Sequence, residues 1–376
     1  MEDELMASIT KRGKTYQYTV SRTIDGKYRP IRKGGFRTKK EAQIAAAEVE
    51  TQLAKGLIPV LKKVPLDEYF ENWIKLYKAQ KVTAVTLAHY NYSLKAIRDY
   101  FCNKPIQDIK RQDYQLFLNQ LGEGKAKKTV AKINGHIKAC VKDAIEDQII
   151  PIDFTRKTDL NWTVQAKKAS EKHLSFNESK LLLQTICSKL EEGLGYSFLF
   201  LAITSGMRYE ELIGLTRKDF DFVNQTISVN KTWGYKKNSP EGFGPTKNEK
   251  SNRIIKMDQT TMNHFKELFK STPTNLNQLV FYSSASKYKV ISNTNVNKLL
   301  KKLLNELNID SSLTLHGLRH THGSILIYKK ASIHYVSERL GHSDIETTLR
   351  VYTHVLKELR IEDEQLSTKT FEQMII

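Results

Sequence analysis

Apolar residues recur with a helical period through the middle third of the chain. Leu66, Tyr69, Phe70, Trp73, Ile74 and Tyr77 form one stripe, and Leu87, Tyr90, Leu94, Ile97 and Phe101 a second. Tyr114, Phe117, Leu118 and Leu121 make a third, and Val130, Ile133, Ile137, Val141 and Ala144 a fourth. Four such stripes predict a helical bundle over residues 64–155. Nearer the N-terminus the period falls to two: "TYQYTV" puts Tyr16, Tyr18 and Val20 on one strand face. Asp25-Gly26 offers a hairpin turn and Gly34-Gly35 a further bend, so a small three-stranded sheet is expected. The helix-forming "TKKEAQIAAAEVETQL" follows, with Thr38 as N-cap and Ile44, Ala47 and Val49 expected to cover the sheet.

"GLIPVLKKVP" (56–65), with two prolines, reads as a connection, and the polar, basic stretch at 155–172 as an interdomain linker. Beyond it Ser175 and Glu178 stand at capping-box spacing, opening a mostly helical region interrupted by strand-like segments at 226–233 and 252–257. The expected fold is multidomain and mainly α with small β-sheets. Its parts are a basic sheet-plus-helix module at 1–58, the four-helix bundle at 64–155 and a third domain at 171–376.

Charge changes the picture. The 60 Lys and Arg against 41 Asp and Glu give a net +19, which favours a polyanionic partner, nucleic acid or an anionic membrane. The most apolar stretch, 196–207, is shorter than the roughly 20 residues of a spanning helix, so no bilayer crossing is expected. No secretory signal is visible, and a cytoplasmic location is expected. Cys102, Cys140 and Cys187 are too scattered for a disulfide framework or metal knuckle and read as buried thiols. Residues 8–40 hold eleven basic side chains and one acidic, with Lys11, Arg12, Lys14, Arg22, Arg29, Arg32, Lys33 and Arg37 as candidate DNA contacts. A second basic stripe, Lys125, Lys127, Lys128 and Lys132, lies in a segment with six lysines and no acid at 125–142.

The third domain contains "TSGMRYEEL" (204–212), "GPTKNEKSNRIIKM" (244–257), "LHGLRHTHGS" (315–324) and "LGHSDIETTLRVYTHV" (340–355). Cleaving a phosphodiester through an enzyme tyrosine calls for forked guanidinium donors on the nonbridging oxygens, a proton for the departing oxygen and a phenol held in line. In order, Arg208, Lys247, His316, Arg319, His342 and Tyr352 resemble the active-site signature of the tyrosine recombinase (phage integrase) family. The likeness to its catalytic domain spans roughly 171–376; residues 64–155 look like its core-site-binding domain. The N-terminal piece is similar, more loosely, to the arm-binding domains of integrases from phages and integrative conjugative elements.

The resemblance implies that Tyr352 attacks a DNA phosphate to leave a 3′-phosphotyrosine and a free 5′-hydroxyl, with no cofactor and no metal. Arg208 and Arg319 would hold phosphate oxygens, Lys247 would protonate the leaving oxygen, His316 would assist proton transfer and His342 would bond the phosphate. Glu211 and His320 would support the site. Asn248 stands where the family often has Thr, and Lys250 in the same hairpin is the alternative acid. The implied partners are double-stranded DNA at core and arm-type attachment sites, further copies of the chain in a tetramer, and an excisionase and a DNA-bending protein. Tyr328 and Tyr335, in apolar helix-periodic surroundings, are expected in the core. A type IB topoisomerase would use similar chemistry, whereas a DNA-binding regulator would not need the six positions. A metal site on His316, His320, His322 and His342 is opposed by Arg319 and Arg339.

Overall fold

A computed structural model describes residues 7–24, 27–54, 63–166, 173–235 and 242–375. The chain divides into two compact units, 1–166 and 167–376.

The first unit opens with strands β1 (Ala7–Arg12) and β2 (Thr15–Val20), the short pair β3 (Thr23–Ile24) and β4 (Lys27–Tyr28), then β5 (Ile31–Phe36). The expected three-stranded sheet forms, in the order β1-β2-β5 with both pairings antiparallel. β3 and β4 pair antiparallel on either side of Asp25-Gly26, the expected turn, which lies outside the described residues. Gly34-Gly35 is not a bend between strands: both lie within β5, where the register against β2 shifts between Tyr16 and Tyr18. Gly35 takes φ 93°, which lets the strand carry an irregularity rather than turn.

Helix α1 (Lys39–Ala54) starts at Thr38, whose Oγ1 accepts from the Glu41 N–H at 3.1 Å. Its buried face is Ala42, Ala46 and Val49, packed with Tyr18, Val20 and Ile31. Ile44 and Ala47, expected to cover the sheet, point outward, because the close approach is made by small alanines at a spacing of four.

The four expected bundle helices form as α2 (Leu66–Tyr77), α3 (Ala84–Phe101), α4 (Arg111–Gly122) and α5 (Lys127–Glu146). Their stripes meet in one core, with Phe70, Ile97, Phe117, Leu118, Val130 and Ile137 almost fully buried. Two polar ties sit within it: Trp73 Nε1 donates to Asp143 at 2.5 Å, and the Tyr114 hydroxyl to Asn134 at 2.7 Å. The start of the expected linker belongs to this bundle. Leu160 and Trp162 pack against its core, and Thr163 donates from its backbone to Gly122 O at 3.2 Å. Residues 167–172 lie outside the described residues.

The second unit begins with α6 (Phe176–Ser188), whose capping box between Ser175 and Glu178 forms as expected. The apolar α7 (Leu194–Ser205) is buried nearly all round, which is why no stripe marks it. Then come α8 (Tyr209–Ile213) and strands β6 (Phe220–Asp221), β7 (Thr226–Val229), β8 (Thr232–Trp233), β9 (Phe243–Gly244) and β10 (Arg253–Lys256). They make a β10-β7-β6 sheet and a separate β8-β9 pair. Helices α9 (Gln259–Ser271), α10 (Asn293–Glu306), α11 (Leu315–Tyr328), α12 (Ile333–Leu340) and the long α13 (Ile345–Ile375) complete it. Tyr328 and Tyr335 are 44% and 45% exposed and not core; Tyr328 stacks on Phe176, and the Tyr335 hydroxyl accepts from Arg339. Of the cysteines only Cys140 is buried. Among the described residues no helix is long and apolar enough to cross a membrane.

Candidate active site

Three arginines converge on the end of α12. Arg253 Nε donates to Arg339 O at 2.7 Å, Arg319 Nη2 to Leu340 O at 2.5 Å and Arg208 Nη2 to Gly341 O at 2.9 Å. Successive carbonyls at the negative end of a helix thus each take a guanidinium. Gly341, at φ +63°, ends the helix in the left-handed region and leaves room for Arg253.

Beneath the arginines lies Glu211, 2% exposed, in the first turn of α8. Its carboxylate accepts from Arg208 Nη1 at 2.8 Å and the Arg208 backbone N–H at 2.9 Å, and from Arg253 Nη2 at 2.9 Å. Burial pushes the Glu211 carboxyl up, but Arg253, then Arg208 and Arg319, outweigh it and hold it below the usual carboxylate range. Arg319 also reaches Gly206 O at 2.8 Å; burial, then Arg208, lower its pKa to about 9, which leaves it charged at neutral pH. Arg208 is partly exposed, so part of its fork remains open to a ligand.

His316 and Arg319 share the N-terminal half of α11. Desolvation, then Arg319 and Arg208, lower the His316 pKa, although its edge is exposed. Its ring meets His320 edge to face at 4.7 Å, and His320 in turn meets Tyr352 at 6.2 Å. His342 follows α12 directly, its Nδ1 2.7 Å from Thr348 Oγ1; burial, then Arg319 and Arg208, lower its pKa to about 3. His322 does not join them. Its Nδ1 lies 2.8 Å from Ile203 O and its Nε2 accepts from Arg339 Nε at 3.0 Å, so both nitrogens serve packing. Among the described residues no group of three or more His, Cys, Asp or Glu is placed to hold a metal ion.

Tyr352, on α13, is 1% exposed and packs with Ile327, Val336 and Leu340. Its hydroxyl donates to Arg319 O at 3.5 Å, and burial raises its pKa to about 12, with Arg319 pulling the other way. The phenol is therefore adjacent to the arginine cluster yet turned into the protein.

The two candidate lysines part company. Lys250 Nζ donates to Ser343 O at 2.9 Å, beside His342. Lys247 is exposed, and among the described residues its ammonium has no partner. The loop carrying both is braced by Ser251 Oγ donating to Asn248 Oδ1 at 2.6 Å and Thr246 Oγ1 to Asn252 Oδ1 at 2.8 Å, so Asn248 here serves the loop's shape. In the other unit Lys11, Arg12, Lys14, Arg29, Arg32, Lys33 and Arg37 are exposed and Arg22 half-buried. On the bundle Lys127, Lys128 and Lys132 are exposed and Lys125 half-buried; Lys127 lies over the Trp162 ring at 4.5 Å.

Sequence reasoning did not find Arg253 or Thr348, and it named Arg339 only as a cation opposing a metal site, not as a partner of Arg253 and His322. Arg253 has the same strand parity as buried Ile255, a faint signal that it points inward.

Residues 172–358 match the Phage integrase family, residues 7–53 an Arm DNA-binding domain, and residues 55–122 a Phage integrase, N-terminal SAM-like domain. With this arrangement of arginines, histidines and tyrosine, the chain belongs to the phage integrase family of tyrosine recombinases, enzymes of site-specific DNA breakage and rejoining. The integrase of Staphylococcus phage L54a is 26% identical over 325 residues, covering 80% of this chain and 90% of that one. A XerC-like tyrosine recombinase of Caldanaerobacter subterraneus subsp. tengcongensis is 26% identical over 381 residues, covering 92% and 94%. Among solved structures, the Tn1549 transposon integrase in complex with a circular intermediate DNA has a TM-score of 0.66 at 20% identity, covering 80% of this chain and 99% of that one. A lambda integrase dimer bound to a core site gives 0.57 at 16%, covering 94% and 96%.

Proposed function

We propose that the chain integrates and excises a mobile element, with Tyr352 as nucleophile. The phenol oxygen bonds to a DNA phosphorus while the bond from phosphorus to the 5′ oxygen breaks, giving a 3′-phosphotyrosine and a 5′-hydroxyl. The observation that carries this reading is the gathering of His316 and His342 beside Arg208 and Arg319, the two arginines that neighbour buried Glu211, with Tyr352 packed against α11, the helix of His316 and Arg319. Arg208 and Arg319 would neutralise the nonbridging oxygens, and fixed guanidinium donors need no reorganisation as charge develops. His316, held neutral by its surroundings, is suited to take the phenol proton. Lys247, free to move, would give one to the 5′ oxygen. The 5′-hydroxyl of a partner duplex then attacks the phosphotyrosine, so no cofactor is required.

A phenol with its pKa raised to about 12 and its oxygen on a backbone carbonyl is not poised to attack. Cleavage therefore requires Tyr352 to leave that pocket when DNA is bound. The domains follow the limits 1–58, 64–155 and 171–376, with the basic face of the first contacting arm-type sites and the lysines of the second contacting core sites. Further copies of the chain in a tetramer, an excisionase and a DNA-bending protein complete the partners, in the cytoplasm. The test is a nicked suicide substrate: wild type should be trapped covalently on a denaturing gel, and Tyr352→Phe should bind without an adduct. An undiminished adduct from the Phe variant would overturn the assignment.

A further inference from the structure

Thr348 stands in the first turn of α13, with its side chain fully buried. Threonine hydroxyls in this chain's helices commonly donate back to the carbonyl four residues earlier, as Thr185 does to Leu181, Thr204 to Phe200 and Thr353 to Leu349. Thr348 makes no such bond. Among the described residues its one hydrogen-bond partner is His342 Nδ1, at 2.7 Å.

The count of protons gives that contact a direction. A hydroxyl has one proton to donate, and leaving it unmatched in a buried position costs on the order of 1–3 kcal/mol. Were Nδ1 protonated, it would donate to Oγ1 and the hydroxyl proton would have no acceptor. With Nδ1 bare, the hydroxyl donates to it and both groups are satisfied. The His342 main chain is fixed separately, its N–H donating to Ser337 O at 3.1 Å.

We propose that Thr348 is a positioning residue that donates to His342 Nδ1, fixing the imidazole as the Nε2–H tautomer so that Nε2 offers a donor to a DNA phosphate oxygen. This rests on the function proposed above. The imidazole is held neutral, its pKa lowered to about 3 first by burial, so it carries one ring proton and the tautomer decides whether Nε2 donates or accepts. Among the described residues Nε2 has no hydrogen-bond partner, which leaves it available to DNA.

The experiment combines ring-nitrogen NMR with single-turnover cleavage of the suicide substrate, on the full chain. The His342 signal, identified by its loss in His342→Phe, should report a bare Nδ1 and a protonated Nε2; the opposite tautomer overturns the proposal whatever the rates. Thr348→Val, nearly isosteric, should slow cleavage by roughly 10- to 100-fold, by analogy with the loss of the partner that orients a metal-bound histidine. Thr348→Ser should restore the rate to within a few fold. In the His342→Phe background Thr348→Val should add nothing. An equal loss in both backgrounds would mean that Thr348 acts by packing alone, and would sink the proposal while leaving the parent reading intact. If His342→Phe itself cleaves at the wild-type rate, the site reading fails and the role of Thr348 with it.

Discussion

Arg253 and Glu211 form a two-pronged ion pair, Nη2 to Oε2 at 2.9 Å and Nη1 to Oε1 at 3.2 Å, with the arginine side chain only 7% exposed. Because the same carboxylate holds Arg208 and the same guanidinium holds Arg339 O, this pair ties α8, β10 and the end of α12 into one unit. The carboxylate places one negative charge among Arg208, Arg253 and Arg319, which offsets their mutual repulsion.

Arg253→Met should therefore destabilise the chain by roughly 3–5 kcal/mol, the usual cost of breaking a buried pair. Arg253→Lys keeps the charge but not the fork and should unfold less readily than the Met variant while still cleaving slower than wild type. The double variant Arg253→Met/Glu211→Gln should lose less than the sum of its singles. Urea unfolding measures all three, and strict additivity would show that the pair is not coupled.

A second consequence concerns Gly323 and the phenol. A methyl group built on Gly323 would stand 2.2 Å from the Tyr352 hydroxyl oxygen, too close for either to stay. Gly323→Ala should cost about 1–3 kcal/mol as an overpacked site. Much of that penalty should vanish in a Tyr352→Ala background, where the clashing ring is gone. If the penalty persists there at full size, Gly323 is required by something other than the buried phenol.

The bundle helices were legible because each buries one stripe and exposes the rest, so Leu66 through Ala144 carry a clear period. α1 misled because an alanine-rich helix has no such contrast: Ile44 is larger and more apolar than Ala46, yet Ala46 lies against the sheet. Leu160 and Trp162 pack without any period, so the segment carrying them read as linker. The candidate residues Arg208, His316, Arg319, His342 and Tyr352 were named from motif order, which is local, and the fold brings them into one region. The contacts of Arg253, Arg339 and Thr348 were not legible in this way, because they are made with partners brought together by folding. The burial of Tyr352 was equally illegible, since a sequence does not encode which way a phenol turns in the DNA-free state.

The histidines predict an acid response. His322 is buried, and desolvation first, then Arg339, lower its pKa from 6.5 to about 3. The unfolded chain thus binds a proton that the folded chain refuses between those values. The stability contribution is full above about pH 6.5 and is lost as pH falls towards 3, at up to about 1.4 kcal/mol per pH unit. His322→Gln keeps an acceptor for Arg339 and a donor for Ile203 but cannot titrate. Between pH 6.5 and 5 it should lose less stability than wild type, by at most roughly 2 kcal/mol, in urea midpoints taken at each pH. Parallel pH curves for the two proteins would refute a neutral buried His322.

The general acid can be tested through the leaving group. Lys250 Nζ is already committed to Ser343 O, which holds the loop against the turn carrying His342, whereas the Lys247 ammonium, three residues earlier, is unpartnered among the described residues and free to follow a substrate. An alkoxide is a poor leaving group, and a general acid contributes roughly 10² to 10⁴ in rate. In a 5′-bridging phosphorothiolate the leaving atom is sulfur, which departs as a stable thiolate and needs no proton. Lys247→Ala should therefore cleave ordinary DNA very slowly and recover most of its activity on the sulfur substrate. Lys250→Ala should show a smaller defect, the same on both substrates, because its bond shapes the loop and does not deliver a proton. Arg208→Ala should recover on neither, since its proposed role is to offset charge on the nonbridging oxygens. Rescue of Lys250→Ala in place of Lys247→Ala would move the acid three residues along the loop. Unrescued defects for both lysine variants would return the proton to His316 or His342.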